Sequence, residues 1–431
     1  MYLFLVRHFN DIDHITPIVW KLKKDGHAVA VYCMNSRYDI GKDYRLNFLK
    51  NLGVAVDYLH DAFAHPRSRF HDFIQSLIQK SFRVQRRPGS PDRIRSPVWV
   101  KLIGKSAGLV GALSYKLARK IYYDQGWARV ILEHLGAKVI CFDYIMPSLY
   151  VVDAFLKAAR QMRIPTLALP HGVQLYTNEV TKPKSTEERR FTKFNRFDYI
   201  IAPNQLRKEL LVRSGVAEEK IVVLGSARYC REWLEQNNRI VPRVIDTNGN
   251  GPARLKVVLM LSKPQCRMDV ARMMATCGIL ADLGDVETVI KPHTRARGNK
   301  KLSDDASLTD VSHVLSAELF EWADVFLVVG SSVITEALMR GKPALYLKYL
   351  HANTTLFEEL GACWTIQNED ELKRALMSLQ TDKTGVPYRQ EDVAKFISDV
   401  VLGGDDGRDV LSAYEQFIVN CATDNSSIQT H

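Results

Sequence analysis

The strongest constraint in this chain is a repeated alternation. Short, almost wholly apolar runs are separated by longer stretches with helical spacing. The runs are YLFLV (2–6), AVAVYC (28–33), GVAVDYL (53–59), AKVICFD (137–143), PTLALP (165–170), DYIIAP (198–203) and KIVVLG (220–225). Four to eight apolar residues without polar alternation read as a strand buried on both faces. Between the runs, His14 to Lys24 places Ile15, Ile18, Val19 and Leu22 on one helical face, and 148–162 and 204–214 also read as helices. Strands covered on both sides need crossover helices, so the class is α/β with parallel sheets. RIVPRVIDTNGNGPAR (239–254) breaks the pattern with Pro, Asn and Gly and reads as a linker. A second series follows with LKVVLML (255–261), VETVIK (286–291), DVFLVV (324–329) and PALYL (343–347). Helices are expected near 267–279, 332–340 and 369–378, then a helical stretch over about 388–420 and a mobile tail at 422–431. The expectation is two Rossmann-like domains, 1–238 and 255–387, facing across a cleft, with C-terminal helices and a tail at 388–431.

Composition narrows the function classes. The chain has 431 residues, 46% hydrophobic and 25% charged, which excludes wholesale disorder, collagen and a small disulfide scaffold. No apolar run approaches the length of a membrane-spanning helix. Met1 to Arg7 enters a strand directly, so no signal peptide is expected. Seven cysteines without CxxC spacing read as reduced thiols in a cytoplasmic protein, with neither a structural metal nor a cofactor expected. The net charge of +11 is unevenly distributed: residues 1–238 carry +16 and the remainder −5. Segment 67–105 holds ten Lys or Arg against Asp72 and Asp92. Phe70, Ile74, Ile78 and Phe82 are spaced four apart there, beside Arg83, Arg86, Arg87, Arg93 and Arg95. An amphipathic helix with adjoining cations suits an anionic membrane surface or acceptor; a core-facing helix with a solvated loop has the same pattern. No RRM, KH or C₂H₂ signature accompanies the charge, so nucleic acid is not the expected partner.

Four strand-to-loop segments carry candidate chemistry. In GSSVITEALMRGKPALYL (330–347), Gly330, Ser331 and Ser332 follow a strand and open a helix, a geometry suited to phosphate, and Glu336 lies one turn on, placed for ribose hydroxyls. An ordinary capped helix would read the same way. IKPHTRAR (290–297) delivers Lys291, His293 and Arg295 at a strand end, where a diphosphate would sit; a solvated basic loop is the alternative. ALPHGVQLYTNE (168–179) delivers His171 at a strand end, placed to act as a general base, with Asp143 as the residue that could orient it. The first loop, RHFNDIDH (7–14), offers Asp11, Asp13 or His14 as an alternative base or as acceptor contacts. Its DxD string is discounted as a metal signature, because Asp13 can simply cap the helix.

Together these segments resemble the GT-B glycosyltransferases, especially those related to CDP-glycerol glycerophosphotransferases and bacterial capsule or surface-polysaccharide transferases. The resemblance rests on His171-Gly172, Gly225-Ser226-Ala227-Arg228-Tyr229, Lys291-Pro292-His293 and Ser331-Ser332 through Glu336, and covers roughly 165–350. The chain departs from the family pattern at Thr294, Ala227 and Cys230. The resemblance implies an acceptor-binding N-terminal domain and a donor-binding C-terminal domain. It makes His171 the base. It gives the donor phosphates to His293, Ser331 and Ser332, the ribose to Glu336, and further donor contacts to Gly225, Ser226 and Arg228. The expected reaction is metal-independent, inverting transfer of a sugar or polyol phosphate from a CMP-, CDP- or UDP-linked donor to a surface-polysaccharide or lipid-linked glycan. The expected location is the inner face of the cytoplasmic membrane. A UDP-sugar 2-epimerase on the same two-domain plan, or a non-catalytic nucleotide-sugar-binding membrane scaffold, are the competing expectations.

Overall fold

The computed structural model describes residues 1–63, 122–144, 146–173, 175–177, 191–245, 254–261, 268–293 and 308–427. Two parallel sheets organise them. The first contains β1 (Tyr2–Val6), β2 (Val29–Cys33), β3 (Ala55–Tyr58), β4 (Val139–Asp143), β5 (Thr166–Leu169), β6 (Tyr199–Ala202) and β7 (Ile221–Val223). Its order is β3-β2-β1-β4-β5-β6-β7, so the strand order reverses between β1 and β4. Every residue of β1, β2, β4 and β5 is buried, which explains why these segments lack polar alternation.

The second sheet contains β8 (Leu255–Met260), β9 (Val286–Lys291), β10 (Thr309–Asp310), β11 (Val325–Val328), β12 (Ala344–Leu347) and β13 (Trp364–Ile366). Its order, β10-β9-β8-β11-β12-β13, reverses between β8 and β11. Successive residues feed opposite cores. Val258, Met260, Phe326, Val328, Ala344 and Tyr346 pack on one face. Val257, Leu259, Val325, Leu327, Leu345 and Leu347 pack on the other.

By compactness the chain forms two units: 1–169, 193–200 and 415–431, and 170–192 with 201–414. The strands of one sheet end at Val223 and those of the other begin at Leu255, on either side of the segment read as a linker. The start of that segment is tied down within the second unit, where the Val244 and Ile245 N–H groups donate to Glu318 Oε1.

The structure corrects three local expectations. The first helix begins at Phe9 rather than His14, with His8 at its N-cap, so Asp13 lies inside the helix and does not cap it. Ser332 makes no side-chain capping bond; Ser331 Oγ accepts from the Val333 N–H at 3.4 Å instead. The closing helix, Val410–Ser427, continues well into the stretch read as a tail. Among the described residues six cysteines are buried free thiols. No helix among them is long and apolar enough to cross a membrane.

Candidate functional site

Ligands in open α/β sheets gather at the carboxyl ends of the strands where the order reverses. In the first sheet that place lies beyond β1 and β4. Arg7 is the first residue after β1 and Asp143 the last of β4. Arg7 Nε donates to Asp11 Oδ2 at 2.8 Å and its Nη2 to Asp11 Oδ1 at 3.2 Å. Its backbone N–H reaches Asp11 Oδ2 at 2.8 Å, and its Nη2 also donates to Asp143 Oδ2. His8 Nδ1 lies 2.9 Å from Asp11 Oδ1. Both carboxylates are wholly buried. Burial opposes the Arg7 charge, but Asp11 and Asp143 outweigh it and raise the guanidinium pKa above its usual value. The structure thus joins two sequence candidates, Asp11 and Asp143, through an arginine to which the sequence reading gave no role.

Asp13 of this loop is paired within the fold. Asp13 accepts from Arg45 Nη1 at 2.6 Å, and Arg45, itself buried, also holds Asp43 at 2.7 Å and lies over the Phe9 ring. His14 is buried on the same helix. Asp143 pairs in register with Leu169 on β5, and half-buried His171 follows two residues later in the loop leaving that strand.

In the second unit the equivalent place lies beyond β11. Gly330 has φ +65°, and a Cβ there would lie 2.6 Å from Tyr176 Oη and 3.0 Å from His351 Nε2. Glycine is required on both counts, conformation and space. The Tyr176 hydroxyl donates to the Gly330 carbonyl. Tyr176 is held by a short antiparallel strap: it bridges Thr355, the Thr177 N–H donates to Thr354 O at 3.1 Å, and the Leu356 N–H to Leu175 O at 2.8 Å. His351, four residues beyond β12, is buried, and its Nδ1 accepts from the Asn353 N–H at 3.1 Å. Burial, with the nearby Lys348 cation, lowers its pKa to about 4, so the imidazole is neutral at pH 7.

The remaining donor candidates have defined surroundings. Lys291, at the end of β9, directs its ammonium at the carbonyls of Val311 (3.3 Å), Ser312 (2.9 Å) and Val314. Three carbonyls account for its three donors, so its direct work is to hold that turn against the strand end. Burial brings its pKa down to about 8, with Asp310 acting in the opposite direction. Buried Glu336 accepts from Arg340 at 3.2 and 2.9 Å, and Arg340 also reaches Glu321 and Asn238. Gly225 has φ +89°, and a Cβ there would lie 2.5 Å from Val401 O. The Ser226 N–H donates to the same carbonyl at 2.7 Å, Tyr414 Oη donates to Gly225 O at 3.0 Å, and the Arg228 guanidinium lies over the Tyr229 ring. These contacts pack the Gly225–Arg228 turn against the Val401 and Tyr414 segments. His293 is half-buried two residues beyond β9. Arg295 and the basic residues Arg83, Arg86, Arg87, Arg93 and Arg95 lie outside the described residues.

Sequence reasoning passed over His351, Tyr176 and Arg340. A strand-end histidine was the signal used for His171, and the same signal was available at His351 after PALYL.

The two sheets, of seven and six parallel strands, give the chain the GT-B-like fold. A sequence profile for the N-terminal domain of glucosyltransferase 3-like proteins matches residues 146–226. No curated protein sequence matches the chain. Among solved structures, UDP-GlcNAc 2-epimerase from Neisseria meningitidis bound to UDP-GlcNAc is similar at 12% identity and a TM-score of 0.52, covering 98% of this chain and 100% of that one. The wall teichoic acid polymerase TagF is similar at 14% identity and 0.51, covering 100% and 90%. The glycotransferase of kitacinnamycin is similar at 14% and 0.50, covering 98% and 99%.

Proposed function

We propose that this chain is a glycosyltransferase. It moves a sugar or polyol phosphate from a CMP-, CDP- or UDP-linked donor to a surface-polysaccharide or lipid-linked glycan acceptor. One observation carries the reading. Each sheet reverses its order beside a strand end furnished with polar groups: Arg7 and Asp143 in the first, Gly330 to Ser332 with Tyr176 and His351 in the second. Two furnished ligand positions suit a reaction with two substrates. The glucosyltransferase 3-like profile across 146–226, which includes His171 and the Gly225-Ser226 turn, supports the same reading.

In this mechanism the acceptor hydroxyl gives its proton to His171 as its oxygen attacks the donor carbon or phosphorus. The bond to the leaving nucleotide phosphate breaks, and that phosphate keeps the electron pair. Ser331, Ser332, His293 and Arg295 stabilise the charge it gains. Lys291 contributes indirectly, through the turn it holds. Transfer proceeds with inversion and without a resident metal. The basic segment 67–105 holds the enzyme at the anionic inner leaflet, where a lipid-linked acceptor sits. Salt-sensitive cosedimentation with anionic liposomes tests that part, and equal, salt-insensitive binding to neutral liposomes would refute it.

The test of activity is product analysis of nucleotide-activated donors with and without a glycan acceptor. Transfer releases nucleotide and extends the acceptor, and His171→Ala lowers turnover by about 10²- to 10⁴-fold. Wild-type turnover in that variant would refute the assignment of the base. The likeness to the Neisseria epimerase supports a second reading, a UDP-sugar 2-epimerase. That enzyme would isomerise the donor with no acceptor present. Nucleotide binding without any turnover would instead favour a scaffold.

A further inference from the structure

Near the second switch point, the His351 ring carries a buried donor that meets no acceptor among the described residues. His351 is 7% exposed and its Nε2 is buried without a hydrogen-bond partner. Because Nδ1 accepts from the Asn353 N–H at 3.1 Å, the ring hydrogen of the neutral imidazole belongs on Nε2. That N–H meets the α-carbon side of Gly330, at the turn that opens beyond β11. A buried donor with no acceptor is costly, so an acceptor from outside the chain would be favoured there. Tyr176 Oη closes on the same point and is anchored through its own bond to the Gly330 carbonyl.

We infer that His351 is a ligand-binding residue whose Nε2–H donates to a phosphate oxygen of a nucleoside diphosphate seated at the Gly330–Ser331 turn. The inference rests on the nucleotide-binding half of the proposed function and adds a contact to it. Two features favour a phosphate oxygen. The missing partner must be an acceptor. The field of the Lys348 ammonium, which registers at the ring, favours negative charge. Because burial keeps the ring neutral at physiological pH, it offers a hydrogen bond without the desolvation cost of a buried cation. Lys348 itself is held by Asn353 O at 2.8 Å and Glu358 at 2.9 Å, so it shapes the field rather than reaching for the ligand.

Calorimetric titration of the full chain with UDP, CDP and the matching nucleosides tests this. For the nucleoside diphosphate that binds wild type, His351→Phe weakens binding by about 10- to 100-fold, as expected for a lost hydrogen bond to a charged group. Nucleoside affinity changes by less than about threefold, and His351→Gln, which keeps a donor, recovers most of the loss. Equal weakening of nucleoside and diphosphate, or none, overturns the inference while leaving the proposed function standing. Failure of wild type to bind either diphosphate overturns the inference, and failure to bind CMP as well overturns the donor classes of the proposed function. A second measurement needs no variant: the His351 Nε2–H resonance in wild type shifts when the diphosphate is added. A resonance unmoved by bound diphosphate marks a water or protein partner and overturns the inference.

Discussion

Replacing Arg7 with methionine tests the first-sheet site most severely. The substitution removes the guanidinium that contacts Asp11 at 2.8 and 3.2 Å and also donates to Asp143. Asp11 keeps the Arg7 backbone N–H, at 2.8 Å, but both wholly buried carboxylates lose their arginine. Removing one partner of a buried ion pair typically costs about 3–5 kcal/mol, because the remaining charge is left uncompensated. Three charges share this cluster, so the upper half of that range is expected. Site-resolved hydrogen exchange is the appropriate assay, since it reads local stability in a chain of two compact units. At about 1.4 kcal/mol per tenfold, β1 and β4 amides that exchange by unfolding of the first unit should lose roughly 10³-fold or more of their protection. Adding Asp11→Asn and Asp143→Asn removes the stranded charges and should recover most of the loss. Protection changed by less than about fivefold would contradict this account, as would a triple variant no more stable than Arg7→Met.

Gly225→Ala must place a Cβ 2.5 Å from a backbone carbonyl at φ +89°; a loss of about 2–4 kcal/mol by urea denaturation is expected, and a neutral effect would refute the packing described. Lys291→Met strips three carbonyls of their donor and should cost about 2–3 kcal/mol, seen as faster exchange of the Val311 and Val314 amides. His351 gives a pH signature. Its folded pKa lies below that of the unfolded chain, so its term favours folding fully above pH 6.5 and is lost as pH falls towards 4. Wild type should therefore lose about 2–3 kcal/mol more than His351→Phe between pH 7 and pH 4, and parallel pH–stability curves would refute the buried neutral imidazole.

The strands were legible because a sheet covered on both faces writes itself as unbroken apolar runs. Val257 to Met260 feeds two cores in strict alternation, and neither core admits a polar residue there. The short edge strands, Thr309–Asp310 and Trp364–Ile366, carry no such signature. The first helix was read as starting late because Asp11 and Asp13 look like loop residues. They turn inward to Arg7 and Arg45, and Arg45 lies 32 positions from Asp13, beyond any local pattern. Lys291 shows the same limit at the second sheet. As sequence, a lysine at a strand end suits a phosphate, but its acceptors are carbonyls 20 to 23 residues further on. Gly330 and the serines after it could be picked out from spacing. The Tyr176 and His351 side chains that meet Gly330 could not, because chain reversal brings them there from 154 positions earlier and 21 later.

The proposed function requires the second unit to bind an activated donor through its nucleotide. A thermal-shift panel of CMP, CDP, UDP, GDP and ADP, each with and without magnesium and with EDTA, tests it most directly. A ligand at 100 times its Kd adds about 2.7 kcal/mol to the folded state. The expected result is a rise in Tm selective for one of CMP, CDP or UDP and unchanged by EDTA. No rise with any of the five, or an equal rise with all of them, would contradict it.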